Sequence, residues 1–573
     1  MKLRIAFGQI NAFVGNFQHN FLKIKDCILK AKERSCDLVV FPELAITGYP
    51  PEDLLHKEGF IRENMSYVKK IVSLCDNIIC LVGFVRSETS RGMRGKEKDQ
   101  LYNSAALIHK KRIIDIYNKI HLPNYGVFDE KRYFAPGHII PVYDLGGIFF
   151  GISICEDIWA EDTPLFEQSK NGSIINININ ASPYYKEKAK DRLKRMKEIA
   201  LKTGTVICYL NMVGGQDEVV YDGHSLIVDN KGQLVRTGKQ FEEDLFFFDL
   251  EAKGKKLNRK SKVHLVKIKG FQPKEKKDFK KYSAQKTPFY ELPQEIYTAL
   301  TLGTRDYVDK NNFKKVVIGL SGGIDSALTT LIAVDALGKK NVTALFMPSR
   351  FTSQESRQDA ETLARNLGIK LHTLPIDDIC SSYLRSLEQI FRDLPPDITE
   401  ENIQARIRGN ILMAFSNKFK ALVLATGNKS EMSTGYTTLY GDLAGGFAVI
   451  KDVPKTLVYQ LVHYRNKQSK TELVPARIIH KAPTAELKKD QKDSDTLPPY
   501  PLLDKILFLY IEKYLTLPEI MKKGFQRDMV KKVIGMVDRS EYKRRQSPPG
   551  IKISKVALGK DRRMPITNGF APG

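Results

Sequence analysis

The stretch Lys315–Ser326, reading Lys-Val-Val-Ile-Gly-Leu-Ser-Gly-Gly-Ile-Asp-Ser, constrains this chain more than any other part of it. Val316, Val317 and Ile318 make the short apolar, β-branched run of a buried parallel strand; glycines follow, and Ala327–Ala336 continues as an apolar helix. Strand, tight loop and helix in that order present unpaired helical N–H groups and a positive dipole end to an anion, and Ser321 and Ser326 add hydroxyl donors. Gly319, Leu320, Ser321, Gly322, Gly323, Ile324, Asp325 and Ser326 thus form a candidate phosphate cradle. The Walker pattern Gly-x-x-x-x-Gly-Lys-Ser/Thr is missing, and the loop carries Asp325, which can face phosphates only through a metal ion. An ordinary glycine turn in a βαβ unit is the plainer alternative for the loop taken alone.

At 573 residues the chain exceeds one core, and two to four domains are expected. The formal net charge of +25 favours anionic partners without choosing between nucleic acid, a membrane surface and phosphorylated small molecules; a lysine-rich solvated surface explains most of it. Seven cysteines form no Cys-x-x-Cys pair and make an odd count, which points away from zinc modules and disulfide frameworks and toward a reducing compartment. No run of about 18 apolar residues occurs and Met1–Asn11 alternates like a strand, so no membrane association and a cytoplasmic location are expected.

From Leu3 to about Leu250, strands alternate with helices as in a layered α/β domain, and Arg86–Gln100, hydrophilic and glycine-containing, reads as a mobile loop. Three reactive side chains follow strand ends: Glu43 after Asp-Leu-Val-Val-Phe-Pro, Lys119 in Tyr-Asn-Lys-Ile-His-Leu, and Cys155 closing Gly-Ile-Ser-Ile-Cys. A cysteine that attacks as thiolate needs a base for its proton, and the tetrahedral adduct needs a cation for its oxyanion; glutamate and lysine supply one of each. Singly, each is more often core or solvated surface. Together these contexts resemble the Glu-Lys-Cys triad of the nitrilase superfamily, and most closely the glutaminase domains of glutamine-dependent NAD synthetases.

That resemblance implies a four-layer αββα sandwich over residues 1–252, with Glu43 as general base, Lys119 on the oxyanion and Cys155 as nucleophile. It carries the second glutamate of the family onto Glu130, and glutamine-binding positions onto Tyr125, Ser182 and Lys188. Glu156 and Asp157 beside the nucleophile disfavour a thiolate, so either Lys119 outweighs them or they point away. Residues 253–285, dense in lysine and interrupted by Gly270 and Pro273, are expected to be an interdomain linker.

In residues 286–573 the strand and helix patterns alternate again, as in a doubly wound parallel sheet of Rossmann-like type. Ser-Gly-Gly-Ile-Asp-Ser, then Met-Pro-Ser-Arg, then Thr-Gly-Asn-Lys-Ser-Glu resemble the N-type ATP pyrophosphatases, which cut ATP between its α and β phosphates and adenylylate a substrate. The finer match is to NAD synthetases. It implies ATP contacts at the phosphate loop and Thr426, contacts to deamido-NAD from Asn402, Glu431, Tyr436, Thr437, Thr438, Leu439 and Lys543, Mg²⁺ on Asp325 and Glu431, and a mobile lid over Pro483–Tyr500, with Lys489 where many relatives have proline. Adenylyl transfer to a carboxylate crowds several anions together, which is why a metal and two carboxylates belong there.

The resemblance therefore implies a ligase that takes ammonia from glutamine through an internal passage and uses ATP to amidate deamido-NAD. Relatives assemble as homo-oligomers, and the same is expected here, with small-molecule partners and no nucleic acid. Two alternatives share the loop: an amidotransferase with another acceptor, and a tRNA-modifying enzyme, the latter disfavoured by the missing cysteine pairs and by the complete glutaminase half.

Overall fold

The computed structural model describes residues 2–91, 97–251, 263–276, 278–282 and 286–570, which divide into two compact units. Unit 1 comprises 1–216 and 220–290; unit 2 comprises 217–219 and 291–573.

In unit 1 the elements run β1 (Lys2–Gln9), α1 (Phe17–Glu33), β2 (Leu38–Val40), α2 (Glu58–Leu74), β3 (Ile79–Arg91), β4 (Glu97–His109), β5 (Arg112–Asn118), β6 (Pro141–Leu145), β7 (Ile148–Ile154), α3 (Pro164–Lys170), β8 (Ile175–Asn180), α4 (Lys188–Thr203), β9 (Val206–Asn211), β10 (Val213–Gln216), β11 (Val219–Asp222), β12 (Leu226–Val228), β13 (Leu234–Thr237), β14 (Asp244–Glu251) and β15 (His264–Lys267). Two large sheets form, ordered β14-β1-β2-β3-β4-β5 and β13-β12-β9-β8-β7-β6-β15, and β10 and β11 pair in a separate two-stranded sheet. The facing sides of the two large sheets share one core, with Phe7, Val40 and Leu81 from the first and Ile152, Ile177 and Leu210 from the second. Helices α1 and α2 cover the outside of the first sheet, and α3 and α4 that of the second, giving the αββα sandwich. Strand β8, Ile-Asn-Ile-Asn-Ile-Asn, shows how the alternation works. Its isoleucines enter the shared core, and its asparagines are buried on the other face, where Asn178 Nδ2 donates to Ser153 Oγ at 2.9 Å and Asn176 Nδ2 to Thr205 Oγ1 at 3.0 Å.

The expected mobile loop at Arg86–Gln100 is corrected here. Strands β3 and β4 stay paired out to Arg91↔Glu97, because a hydrophilic hairpin still satisfies its backbone by cross-strand bonds; residues 92–96 lie outside the described residues. Of the stretch 253–285, the described part is built onto unit 1. Strand β15 pairs in parallel with β6, and Lys276 Nζ lies 2.8 Å from Asp37 with both side chains buried. The same aspartate accepts the N–H of Lys274 at 3.0 Å and that of Arg4 at 2.8 Å, while Arg4 pairs with Asp249 at 2.7 Å and Asp278 at 2.9 Å.

Unit 2 runs α5 (Leu292–Lys310), β16 (Lys315–Gly319), α6 (Ile324–Leu337), β17 (Val342–Phe346), α7 (Gln354–Leu367), β18 (Lys370–Thr373), α8 (Asp377–Phe391), α9 (Ile398–Phe419), β19 (Ala421–Ala425), α10 (Lys429–Thr434), β20 (Phe447–Ala448), α11 (Lys455–Gln468), α12 (Ala476–His480), α13 (Tyr500–Leu507), α14 (Leu517–Met521), α15 (Arg527–Arg539) and α16 (Glu541–Gln546). The sheet is parallel throughout, ordered β18-β17-β16-β19-β20. The chain winds outward from β16 to one side and then returns to β19 on the other, so the switch point falls where the Ser-Gly-Gly-Ile-Asp-Ser loop leaves β16. Helix α6 is apolar on nearly every side and buried from Ser326 to Ala333 between α5, α11 and the sheet. A separate core from α13, α14 and α15, including Leu503, Ile520 and Val533, takes in Met432 and so anchors α10. Among the described residues, no helix is long and apolar enough to cross a membrane.

Asp37 holds a buried ammonium that would otherwise have no counter-charge. Asp37→Ala is expected to destabilise unit 1 by about 3 kcal/mol, read from the denaturant midpoint of its unfolding transition, with faster proteolysis within 263–282.

Candidate functional site

In unit 1 the ends of β2, β5 and β7 bring Glu43, Lys119 and Cys155 into one buried centre. Gly83 on β3 lets the Glu43 turn lie directly on the sheet, since a Cβ there would come within 2.4 Å of Leu44 N and Pro42 O. Lys119 donates its backbone N–H to Asn103 O at 2.8 Å and places Nζ 2.7 Å from Glu43 Oε1 and 2.8 Å from Glu130 Oε1. All three charged groups are buried. The carboxylates are further held by Ala181 N on Glu43 Oε2 at 2.9 Å, by Tyr49 OH on Glu130 Oε1 at 2.7 Å, and by Asn103 Nδ2 on Glu43 Oε1 at 2.7 Å. Burial, with Glu43 repelling it, pushes the Glu130 carboxyl up to about 7, although Lys119 opposes the shift.

Cys155 begins a short 3-10 turn, Cys155–Ile158, with a left-handed φ of +43°, so it sits at a strained corner between strand and turn. Burial first, then Glu43, pushes its thiol well above the ordinary range, and Lys119 does not outweigh them. Asp157 points away from the thiol. Its carboxylate accepts from the N–H groups of Ile154 at 2.9 Å, Ile120 at 3.2 Å and His121 at 2.8 Å and from Tyr117 OH at 2.7 Å, so it fastens the β7 corner to the end of β5. Glu156 accepts from Tyr125 OH at 2.9 Å. The second of the two alternatives raised by the sequence thus holds for Asp157.

Tyr125 is 58% exposed, as befits a rim group, and Ser182 is buried with its N–H on Asn211 Oδ1 at 2.9 Å. Lys188 opens α4, its ammonium 4.6 Å from the Tyr185 ring centroid and 5.4 Å from that of Trp159; burial and Arg192 lower it to about 8.

In unit 2 a cavity of about 300 Å³ opens at the carboxyl ends of the strands. Gly319 to Ser326, Thr426, Glu431, Tyr436 and Thr438 line it. Gly322 has φ +81° and a Cβ there would sit 2.5 Å from Ser356 O, so only glycine fits the loop against α7. No side chain caps the start of α6; Ser321 Oγ instead accepts the N–H of Gly323 at 3.2 Å and meets Ser326 Oγ at 3.1 Å. Asn402, Thr437, Leu439 and Lys543 do not line the cavity. They stand behind Thr438 and Tyr436: Asn402 Oδ1 accepts from Thr438 Oγ1 at 2.9 Å, Arg406 reaches Leu439 O at 3.2 Å, and Lys543 Nζ donates to the carbonyls of Gly435 and Thr437, both at 2.8 Å. From the expected lid, Thr484, Ala485, Glu486, Leu487 and Asp493 line the cavity. Glu486 is held there by Lys481 at 2.7 Å and by Ser353 and Ser356, each at 2.9 Å.

The charged heart of this cavity includes a residue that sequence reading missed. Lys455, at the start of α11, pairs with Asp325 and stands 3.5 Å from Glu431 Oε1. Asn428 Nδ2 holds Asp325 Oδ1 at 2.9 Å. Burial and Asp325 push the Glu431 carboxyl up to about 8 despite Lys455. Two carboxylates beside a phosphate cradle suit Mg²⁺, which takes one or two protein carboxylates and completes its octahedron with water and phosphate oxygens. Among the described residues no group of three or more His, Cys, Asp or Glu side chains could by itself hold a metal ion.

Residues 4–253 match the carbon-nitrogen hydrolase family and residues 296–547 the NAD synthase family, which makes the chain a carbon-nitrogen hydrolase unit joined to an NAD synthase unit. The glutamine-dependent NAD(+) synthetase of Thermotoga maritima is 47% identical over 99% of both chains, and that of Acinetobacter baylyi is 42% identical over 100% of this chain and 99% of its own. A solved glutamine-dependent NAD(+) synthetase from Acinetobacter baumannii, in complex with ADP, superposes with a TM-score of 0.75 at 40% identity, covering both chains completely. The chain belongs to the glutamine-dependent NAD(+) synthetase family.

The close approach at Gly83 makes a prediction about the first centre. Gly83→Ala must displace the turn carrying Glu43, and alkylation of Cys155 by iodoacetamide at neutral pH is expected to slow by roughly tenfold, followed by mass spectrometry.

Proposed function

We propose that this protein hydrolyses glutamine at Cys155, passes the ammonia internally, and uses it with ATP to amidate deamido-NAD, yielding NAD⁺, AMP and pyrophosphate. The observation that carries this reading is the presence, in one chain related over its full length to glutamine-dependent NAD(+) synthetases, of both a buried glutamate-lysine centre beside a cysteine and a phosphate cradle with two carboxylates.

In unit 1 the raised thiol is protonated at rest, so attack needs a base, and Glu43 is the carboxylate placed to take the proton. The thiolate adds to the side-chain amide carbon of glutamine, Lys119 neutralises the oxyanion, and the proton returns to the departing nitrogen as ammonia leaves a thioester. Water, activated by Glu43, releases glutamate. Tyr125, Glu130, Ser182 and Lys188 bind and orient the glutamine.

In unit 2 the cradle from Gly319 to Ser326, with Thr426, holds the triphosphate, and Lys455 faces it as a fixed cation. Asp325 and Glu431 would hold Mg²⁺, whose charge offsets that of the triphosphate and of the departing pyrophosphate. The carboxylate of deamido-NAD attacks the α phosphorus and pyrophosphate leaves; ammonia then attacks the acyl carbon and AMP leaves. Glu431, Tyr436 and Thr438 contact the dinucleotide from the cavity wall, backed by Asn402, Thr437, Leu439 and Lys543. Partners on this reading are these small molecules and not nucleic acid, with the protein acting as a cytoplasmic homo-oligomer.

Cys155→Ala is expected to abolish glutamine-supported NAD⁺ formation while ammonium chloride still supports it; equal loss with both nitrogen sources would refute the division of roles. A second prediction concerns pH. The Glu431 carboxyl titrates ordinarily near 4.5 and in the folded protein near 8, so between those values folding retains a proton that cation binding must expel. Mg²⁺ affinity in the presence of a non-hydrolysable ATP analogue is expected to rise about tenfold per pH unit below pH 8 and level off above it, as read by titration calorimetry.

A further inference from the structure

Asn103 touches every charged member of the unit 1 centre. Its carbonyl accepts the backbone N–H of Lys119 at 2.8 Å, and its Nδ2 reaches Glu43 Oε1 at 2.7 Å and Glu130 Oε2 at 3.5 Å. It is buried on β4, and no family resemblance drew attention to it. The orientation of its amide is set by chemistry, because a flipped amide would turn its oxygen onto two carboxylates. That orientation has a consequence on the other side of the group: Asn103 Oδ1 is buried without a hydrogen-bond partner among the described residues. Leaving a buried acceptor unmatched is unfavourable, and a leucine of similar volume would fill the place without it, so packing alone does not account for the amide.

Resting on the proposed glutamine hydrolysis, we propose that Asn103 is a positioning residue for that step: its N–H group bridges Glu43 and Glu130 about Lys119 and keeps Glu43 available as the base. The groups that face the carboxylate pair are Lys119 from the end of β5, Tyr49 from the segment after β2, Cys155 from the β7 corner, and the N–H of Ala181 after β8. Among the described residues there, only Lys119 is cationic, so two buried carboxylates share one positive charge. A neutral donor bridging both favours their ionised forms without adding a second cation, which would compete with Lys119 for the oxyanion.

The test uses the full-length chain with Asn103→Asp and Asn103→Leu, each close in volume and each lacking the donor. Glutaminase kcat/KM is measured across pH, with ammonia-supported NAD⁺ formation in the same preparations. A carboxylate that loses a donor protonates more readily, so the acid limb is expected to move to higher pH by about one unit, a loss of roughly tenfold at a fixed pH below the limb. Ammonia-supported synthesis is expected to stay within about twofold in both variants, since no group of unit 2 is altered. An acid limb that stays in place in both variants, whether kcat/KM is unchanged or uniformly lowered, would overturn the inference. Cys155→Ala run alongside separates the two claims: if it retains glutamine-supported turnover, the proposed function fails and not the role of Asn103.

Discussion

A lysine shared between two carboxylates recurs in both halves of this protein, the carboxylates fully buried in unit 1 and partly buried in unit 2. In unit 1 Lys119 lies between Glu43 and Glu130; in unit 2 Lys455 lies between Asp325 and Glu431. Each trio is one positive charge short of balance, and burial, with the neighbouring carboxylate adding to it, raises one carboxyl of each toward neutrality, Glu130 to about 7 and Glu431 to about 8. A balanced buried pair would be inert. An unbalanced one binds a proton or a cation readily, which is what the proposed function asks of the base in unit 1 and of the metal-holding carboxylates in unit 2.

The scaffold around each trio is arranged to hold it under that imbalance. Around Glu43 the approach is steric: Gly83 admits the turn against β3, and Ala181 N fixes the far oxygen. Around Glu431 it is a chain of hydrogen bonds. Ser430 Oγ donates to Asp504 Oδ1 at 2.5 Å and accepts the N–H of Lys455 at 2.9 Å, while Asp504 Oδ2 accepts from Thr456 N at 2.9 Å, so helices α10, α11 and α13 are tied together beside the carboxylates. The satellite core that seats Met432 then keeps α10 from yielding.

Local pattern made much of this legible. A β-branched run followed by glycines announced β16 and its loop, whereas Glu43, Lys119 and Cys155 drew attention only together, through the resemblance of their three contexts to one family. What stayed hidden depends on distant chain. Lys455 sits in Val-Pro-Lys-Thr, where nothing nearby marks it, although a lysine in the first turn of a helix opposes the dipole and so calls for a carboxylate partner. The lysine-rich stretch 263–282 misled for a different reason: charge density suggests solvent, yet Lys276 is buried on Asp37, and composition cannot report a partner more than 200 residues away.

The acidic pair beside the nucleophile posed the sharpest conflict between sequence and chemistry, and its resolution bears on how the cysteine works. Had Glu156 and Asp157 both faced the thiol, Lys119 would have had to overcome them to sustain a resting thiolate. Asp157 instead spends its oxygens on three backbone N–H groups and Tyr117, which fixes the left-handed corner at Cys155. The thiol remains raised by burial and by Glu43 itself. A group that raises the thiol while standing ready to accept its proton behaves as a base, not as a counter-charge. Buried and protonated, such a cysteine is a poor target for oxidants, which react with thiolate. On the proposed function its nucleophilicity depends on Glu43 accepting the proton as the carbonyl is attacked, which ties reactivity to the presence of substrate.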